Sequence, residues 1–114
     1  MKYFCDGSGF NVRKAEYAVT DADGNILRRK TFNQDYTNND MEYEAVIYAL
    51  TIAKDGDTIL TDSQLVVNQL TKGWKVKARN LMVKYNHAKD LYENKNISLL
   101  WIPRDENLAG KIFE

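Results

Sequence analysis

The sequence predicts an α/β fold: a mixed five-stranded sheet, three antiparallel strands followed by parallel ones, flanked by helices. Three observations carry this. Strand-like runs crowd the first 32 residues, with a hairpin turn signal, "ADGN", between two of them. Helical spacing of apolar residues begins at residue 40. Beyond it, two short runs, "TILTD" and "ISLLWI", alternate with helical stretches. The first is too apolar to be half exposed, as expected of a central parallel strand, and the order suits right-handed crossovers.

Each element has its own signal. "KYFCDG" is an apolar run that Gly7, Ser8 and Gly9 interrupt, so the first strand should end in a loop. "AEYAVTD" is the second strand and "ILRRKTF" the third. Residues 40–54 form a helix, with Met41, Ala45, Tyr48 and Ile52 recurring at helical spacing. Its start, "YTNNDMEYEAVIYAL", is crowded with capping residues, and Asn39 with Glu42 has the spacing of a capping box. "DGD" breaks this helix, and "TILTD" is the fourth strand. "SQLVVNQLTKG" is a helix closed by Gly73. Residues 79–94 form another. "ISLLWI" is the fifth strand, stopped by Pro103, and "DENLAGKIFE" a short final helix.

A chain of 114 residues with 44% hydrophobic and 28% charged residues has enough apolar matter for one core, so we expect a single domain over residues 1–114. Net charge is zero, which excludes a global basic field, but the charge is unevenly placed. Lys72 to Lys89 holds five Lys, one Arg and no acid; Asp35 to Asp62 holds seven acids against Lys54. Such halves suit a cation site beside an anion site. Cys5 is the only cysteine, so no intramolecular disulfide can form. "MKYFCDGSGF" lacks a secretory pattern, and "AVIYALTIA" is far short of a membrane span. The expectation is a monomeric cytoplasmic protein away from any membrane.

Three acids fall on three elements. Asp6 ends strand one, Glu42 opens the first helix and Asp62 ends strand four. Sites in open α/β sheets gather at the carboxyl ends of parallel strands, and strands one and four are natural central neighbours. Each acid also has a structural reading: Asp6 as a turn residue, Glu42 as the capping-box acid, Asp62 as the cap of the next helix. Packed together, however, three carboxylates repel, and a divalent cation relieves that. Oxygen ligands without His or Cys suit Mg²⁺, with Mn²⁺ as the alternative. His87, the only histidine, falls on a basic helix and reads as a surface residue.

At this point the residues resemble a known family. "FCDGSG", "TNNDMEYEA", "TDSQLVVNQL" and "WIPRDENLAGKIFE" look like the four signature segments of ribonuclease H, type 1, in order and over nearly the whole chain. The resemblance implies a ribonuclease H-like fold and metal-dependent hydrolysis of the RNA strand of an RNA–DNA hybrid. It makes Asp6, Glu42 and Asp62 the metal-binding acids, working with two ions and substrate. It makes Thr37, Asn38 and Asn39 nucleic-acid contacts, with Ser63 and Gln64 after the third acid. Ser8 and Asn11 join from the first loop. Amides such as Asn38, Asn39 and Gln64 can both donate to and accept from a 2′-hydroxyl. "KGWKVKARN" reads either as a solvated face or as a phosphate-tracking groove of Lys75, Lys77 and Arg79, with Trp74 as an apolar platform. The chain lacks the family's longer basic insertion here and its His-containing loop before the last helix.

The fourth segment departs from the pattern. Where the family offers a fourth acid after an Ala, "NLAGKIFE" has Gly110. On a continuous helix Glu106, Gly110 and Glu114 would share a face, and Glu114 would lean back over the glycine. Glu114 is therefore the expected fourth ligand and Glu106 a bystander. Two other readings stay open: a binding module that lost turnover with the fourth acid, and another nuclease of the same superfold, such as a junction resolvase. The "TNN" segment argues against the latter.

Overall fold

The computed structural model describes residues 1–11 and 14–113. Five strands form one sheet: β1 (Lys2–Asn11), β2 (Lys14–Thr20), β3 (Ile26–Phe32), β4 (Thr58–Thr61) and β5 (Ser98–Trp101), in the order β3-β2-β1-β4-β5. β1 to β3 are an antiparallel meander, and β4 joins β1, and β5 joins β4, in parallel. Three helices accompany them: α1 (Asn38–Ile52), α2 (Gln64–Lys72) and α3 (Arg79–Glu93). The predicted sheet and its flanking helices are therefore present, and the fold is ribonuclease H-like.

β1 does not end at the glycines. It runs to Asn11, and Asp6, Gly7 and Ser8 pair with Ala18, Tyr17 and Glu16 of β2. Gly7 and Gly9 instead let α1 come close. A Cβ on Gly7 would stand 2.5 Å from the Glu42 backbone nitrogen, and one on Gly9 2.6 Å from that of Asn38. The strand thus needs glycine for approach, not for a turn.

α1 is more than amphipathic. Nine of its residues, from Asp40 to Leu50, are buried, because it packs on β1 and β2 on one side and on α3 on the other. Its apolar neighbours, Tyr43, Val46 and Leu50, are all fully buried in the core. A helix covered on most sides loses the one-face periodicity of a surface helix.

The capping box is also shifted from the expected pair. Thr37, not Asn39, is the N-cap: its Oγ1 accepts the Asp40 N–H at 3.1 Å. Asp40 returns the bond, Oδ2 accepting the Thr37 N–H at 2.9 Å. An aspartate does the work usual for Glu at that position. Asp62 does not cap α2 either; Ser63 Oγ accepts the Val66 N–H at 3.2 Å. Gly73, at φ 70°, closes α2 in the left-handed conformation.

The predicted last helix is absent. Residues 104–113 form two 3₁₀ turns, Arg104–Glu106 and Gly110–Phe113, broken by Asn107 to Ala109. The cause is Asn107. Its fully buried amide donates to the Cys5 carbonyl at 2.8 Å, and its Oδ1 accepts the Ala109 N–H at 3.2 Å, drawing the backbone out of helical register. Glu106 and Gly110 therefore share no helix face, and Glu106 is exposed. Glu114 lies outside the described residues.

Candidate active site

The parallel pairing of β1 with β4 stops at Cys5 opposite Thr61. The next residue on each strand is an acid. Asp6 and Asp62 thus stand at the same level, one residue beyond the parallel pairing; β4 ends there, whereas β1 continues along β2. Gly7 lets the first turn of α1 press on β1, which brings Glu42 to the same point. One carboxylate oxygen from each of Asp6, Glu42 and Asp62 lies within 4.8 Å of the other two.

The electrostatics are severe. Asp6 is 5% exposed and Glu42 8%. Burial, reinforced by the Asp62 charge, pushes the Asp6 carboxyl up to about 6; a hydrogen bond with Glu42, and then the Gly7 N–H and the Arg104 guanidinium, pull the other way. Burial, then the Asp6 charge, raises Glu42 well above the usual carboxylate range. Glu42 Oε2 is buried and has no hydrogen-bond partner among the described residues. A capping glutamate would have spent that oxygen on a backbone N–H, but Asp40 has taken the role. A buried carboxylate oxygen left unsatisfied beside two other carboxylates fits a hard divalent cation.

The acids line a cavity of about 270 Å³, and Ser8, Asn38, Arg104 and Phe113 complete its wall. Asn38 Oδ1 accepts the Gly9 N–H at 2.6 Å, which fixes the side chain and leaves its amide protons free to donate. Gly110 stands against the cluster: a Cβ there would lie 3.0 Å from Asp6 Oδ2. The position where a fourth acid was expected is thus next to Asp6, although it carries no side chain.

Of the other expected contacts, some line two further cavities, and Thr37, Ser63, Gln64, Trp74 and Arg79 line neither. Asn11 lies with Ser8 on an adjoining cavity. Asn39, Lys75 and Lys77 line a separate groove of about 350 Å³ with Leu65, Gln69 and Leu81. That groove is braced from within: the Tyr43 hydroxyl donates to Gln69 Oε1, and Gln69 Nε2 donates to the Lys75 carbonyl at 3.3 Å. Thr37 is committed to its cap. Ser63 caps α2, and Gln64 is exposed at its first position. Trp74 is 50% exposed, and Arg79 opens α3. His87 is exposed, as expected.

Sequence reasoning missed Arg104, Phe113 and Asn107. Asn107 Nδ2 stands 3.4 Å from Asp62 Oδ2 as well as on the Cys5 carbonyl, so it ties the two strand ends together. Trp101 Nε1 donates to the Asp62 carbonyl at 3.1 Å. A polar Asn just ahead of the apolar pair Leu108 and Ala109 was the one signal in the sequence.

Fold and acid cluster together define a class: a ribonuclease H-like α/β protein with a carboxylate site where its central strands end. The chain belongs to the RNase H family, whose family model matches residues 1–109. It is similar to the bifunctional protein Rv2228c of Mycobacterium tuberculosis and to the uncharacterized protein Mb2253c of Mycobacterium bovis. Each is 41% identical over 76 residues, 62% of this chain and 21% of the relative. The matched stretch is thus about one fifth of those relatives' length. Among solved structures, the N-terminal RNase H domain of Rv2228c matches with a TM-score of 0.73 and 30% identity, covering 93% of this chain and 84% of that one. RNase H1 of Halobacterium salinarum matches at 0.71 and 26%, covering 97% and 91%. LC11-RNase H1 in complex with an RNA/DNA hybrid matches at 0.67 and 26%, covering 93% and 87%.

Proposed function

We propose that this chain is a single-domain endoribonuclease that hydrolyses the RNA strand of RNA–DNA hybrids with divalent metal ions. The observation that carries the reading is the unsatisfied Glu42 oxygen, buried against Asp6 and Asp62. Family membership and a relative solved with a hybrid support the substrate.

Asp6, Glu42 and Asp62 would hold Mg²⁺, or Mn²⁺ in its place. Bound there as a pair with substrate, such ions supply an activated water and charge stabilisation for the leaving oxygen of an in-line displacement. The chain's own groups do the rest. Asn38, its carbonyl oxygen held by Gly9, offers its amide protons to a 2′-hydroxyl of the RNA strand. Arg104, on the cavity wall, offsets the negative charge of the scissile phosphate against that of the acids. Asn39, Lys75 and Lys77 offer the groove between the start of α1, α2 and α3 to the DNA strand. Phe113 walls the cavity on the C-terminal side and limits water there.

Cleavage of a labelled hybrid, beside duplex RNA and duplex DNA, with and without Mg²⁺, tests this. Metal-dependent cutting of the RNA strand of the hybrid alone is expected. Hybrid binding without cutting would make the chain a binding module, and cutting of branched DNA instead would make it a resolvase-like nuclease.

A further inference from the structure

The acid cavity opens beside a second one of about 340 Å³, and Ser8 and Phe113 line both. The second is built on β1, β2 and β3. Asp6 pairs with Ala18, and Ala18 with Arg29, so all three lie in one row across the sheet. Two strand spacings of about 4.8 Å put the Arg29 backbone about 10 Å from that of Asp6.

Glu16, opposite Ser8, is a carboxylate only 6% exposed. Arg29 Nη2 donates to its Oε1 at 3.3 Å, and Lys14 Nζ lies 3.0 Å from its Oε2. Among the described residues that second oxygen has no properly directed hydrogen bond. Both cations remain open to solvent, the Lys14 side chain at 52% and that of Arg29 at 40%. The Arg29 guanidinium also sits 6.0 Å over the Phe113 ring, at the boundary of the two cavities. Two cations face one buried acid, which leaves a positive surplus in a polar cavity next to the acids.

We propose that this cavity is an anion subsite for a backbone phosphate of the strand being cut, outside the scissile position. Glu16 is its resident counter-ion: it holds Lys14 and Arg29 in place and limits their pull. The inference rests on the hybrid reading above. A strand laid through the acid cavity continues past Ser8 into this one. An offset of about 10 Å is longer than one step of the rise along the duplex axis, so the phosphate taken here lies outside the scissile position on the same strand. The planar fork of Arg29 matches phosphate oxygens, which would compete with Glu16 for the same donors.

Hybrid binding, measured by fluorescence anisotropy over a range of salt with Ca²⁺ in place of Mg²⁺, tests it. Replacing Lys14 and Arg29 together by Gln should weaken binding and flatten the plot of log K against log salt by about 0.9 for each phosphate no longer neutralised. Glu16→Gln should do the opposite and tighten binding several-fold at the same salt. Arg29→Lys should keep most of the slope. Trimming the RNA strand on each side of the cut in turn should erase the difference between wild type and the double variant on one side only. An unchanged slope in the double variant overturns the subsite. So does a Glu16→Gln variant that binds more weakly than wild type, since the ion pairs would then only brace the strands. If the double variant fails to fold, Glu16→Gln and Arg29→Lys decide alone. A wild type that neither binds nor cuts any hybrid sinks the enzymatic reading instead; a cutting wild type with unaffected variants sinks only this subsite.

Discussion

Asp40 and Thr37 satisfy each other at the start of α1, each side chain accepting the other's backbone N–H, at 2.9 and 3.1 Å. Two residues later, Glu42 is released from any capping duty and turns to Asp6 and Asp62. The acids should therefore be dispensable for folding and needed for turnover. Asp6→Asn, Glu42→Gln and Asp62→Asn should each nearly abolish hybrid cleavage. Without metal each should melt at the wild-type temperature or above it, because one source of repulsion is gone. A large drop in melting temperature in metal-free buffer would make the acids structural.

Asp40 should behave in the opposite way. It also accepts from Asn80 Nδ2 at 2.9 Å and lies 3.8 Å from Lys84 Nζ, so it joins α1 to α3. Asp40→Ala should destabilise the fold by about 0.5–2 kcal/mol, the range for a missing cap, through the lost half of the capping box. Chemical denaturation measures this, and cleavage by the folded fraction should survive. Equal stability of Asp40→Ala and wild type would contradict the assignment.

Acidity gives a signed expectation. Asp6 holds its proton up to about 6, against 3.8 for an unperturbed carboxyl, and Glu42 is displaced the same way. Between those values the folded state binds more protons than the unfolded one, so metal-free stability falls as pH rises through that window. The contribution is fully present below it. Added Mg²⁺ should oppose the loss on the alkaline side, where the ligands are ionised. Thermal melts with EDTA from about pH 4 to 8 test this: Asp6→Asn should flatten the decline, and an identical slope in wild type and variant would refute the cause.

The strand glycines make a steric prediction. A methyl on Gly7 meets backbone, the Met41 carbonyl carbon and the Glu42 nitrogen, which cannot swing aside as a side chain can. Gly7→Ala should cost about 1–3 kcal/mol by overpacking and should displace Glu42 from the other acids. Loss of activity beyond loss of folded protein, in the same preparation, is the expected signature.

At the other wall, a Cβ on Gly110 would crowd Asp6 Oδ2 at 3.0 Å. Gly110→Ala should raise the Mg²⁺ concentration needed for half-maximal cleavage several-fold, with little change in melting temperature. Glu114→Gln is the companion measurement for the terminal carboxylate: a fourth ligand predicts at least about a tenfold loss of turnover at low Mg²⁺, and Glu106→Gln should be silent. Full activity of Glu114→Gln would leave the site to the three clustered acids.

Most of the sheet was legible because strand and turn signals are local. β3 was read at its observed bounds, Ile26–Phe32, from a strand-like run directly after a turn signal. The acid cluster was legible because topology alone puts the ends of β1 and β4 together. What local reading could not supply were contacts made across the fold. Gly7 and Gly9 looked like loop residues because their reason, the closeness of α1, lies some thirty residues on. The C-terminal segment looked helical because Asn107 bonds to Cys5, a partner no window of the sequence contains. Arg104 went unnoticed because an exposed arginine in a turn has no periodicity to betray it.

That last bond also sets an order of events. Asn107 meets the Cys5 carbonyl across 102 positions of chain. During synthesis, β1, β2 and β3 can pair early, since their contacts are local. The Cys5 carbonyl, next to Asp6, must wait for Asn107 before it gains this donor and Asp62 is tethered beside it. Until the segment around Asn107 has been synthesised, that carbonyl lacks its amide donor and Asp62 its tether.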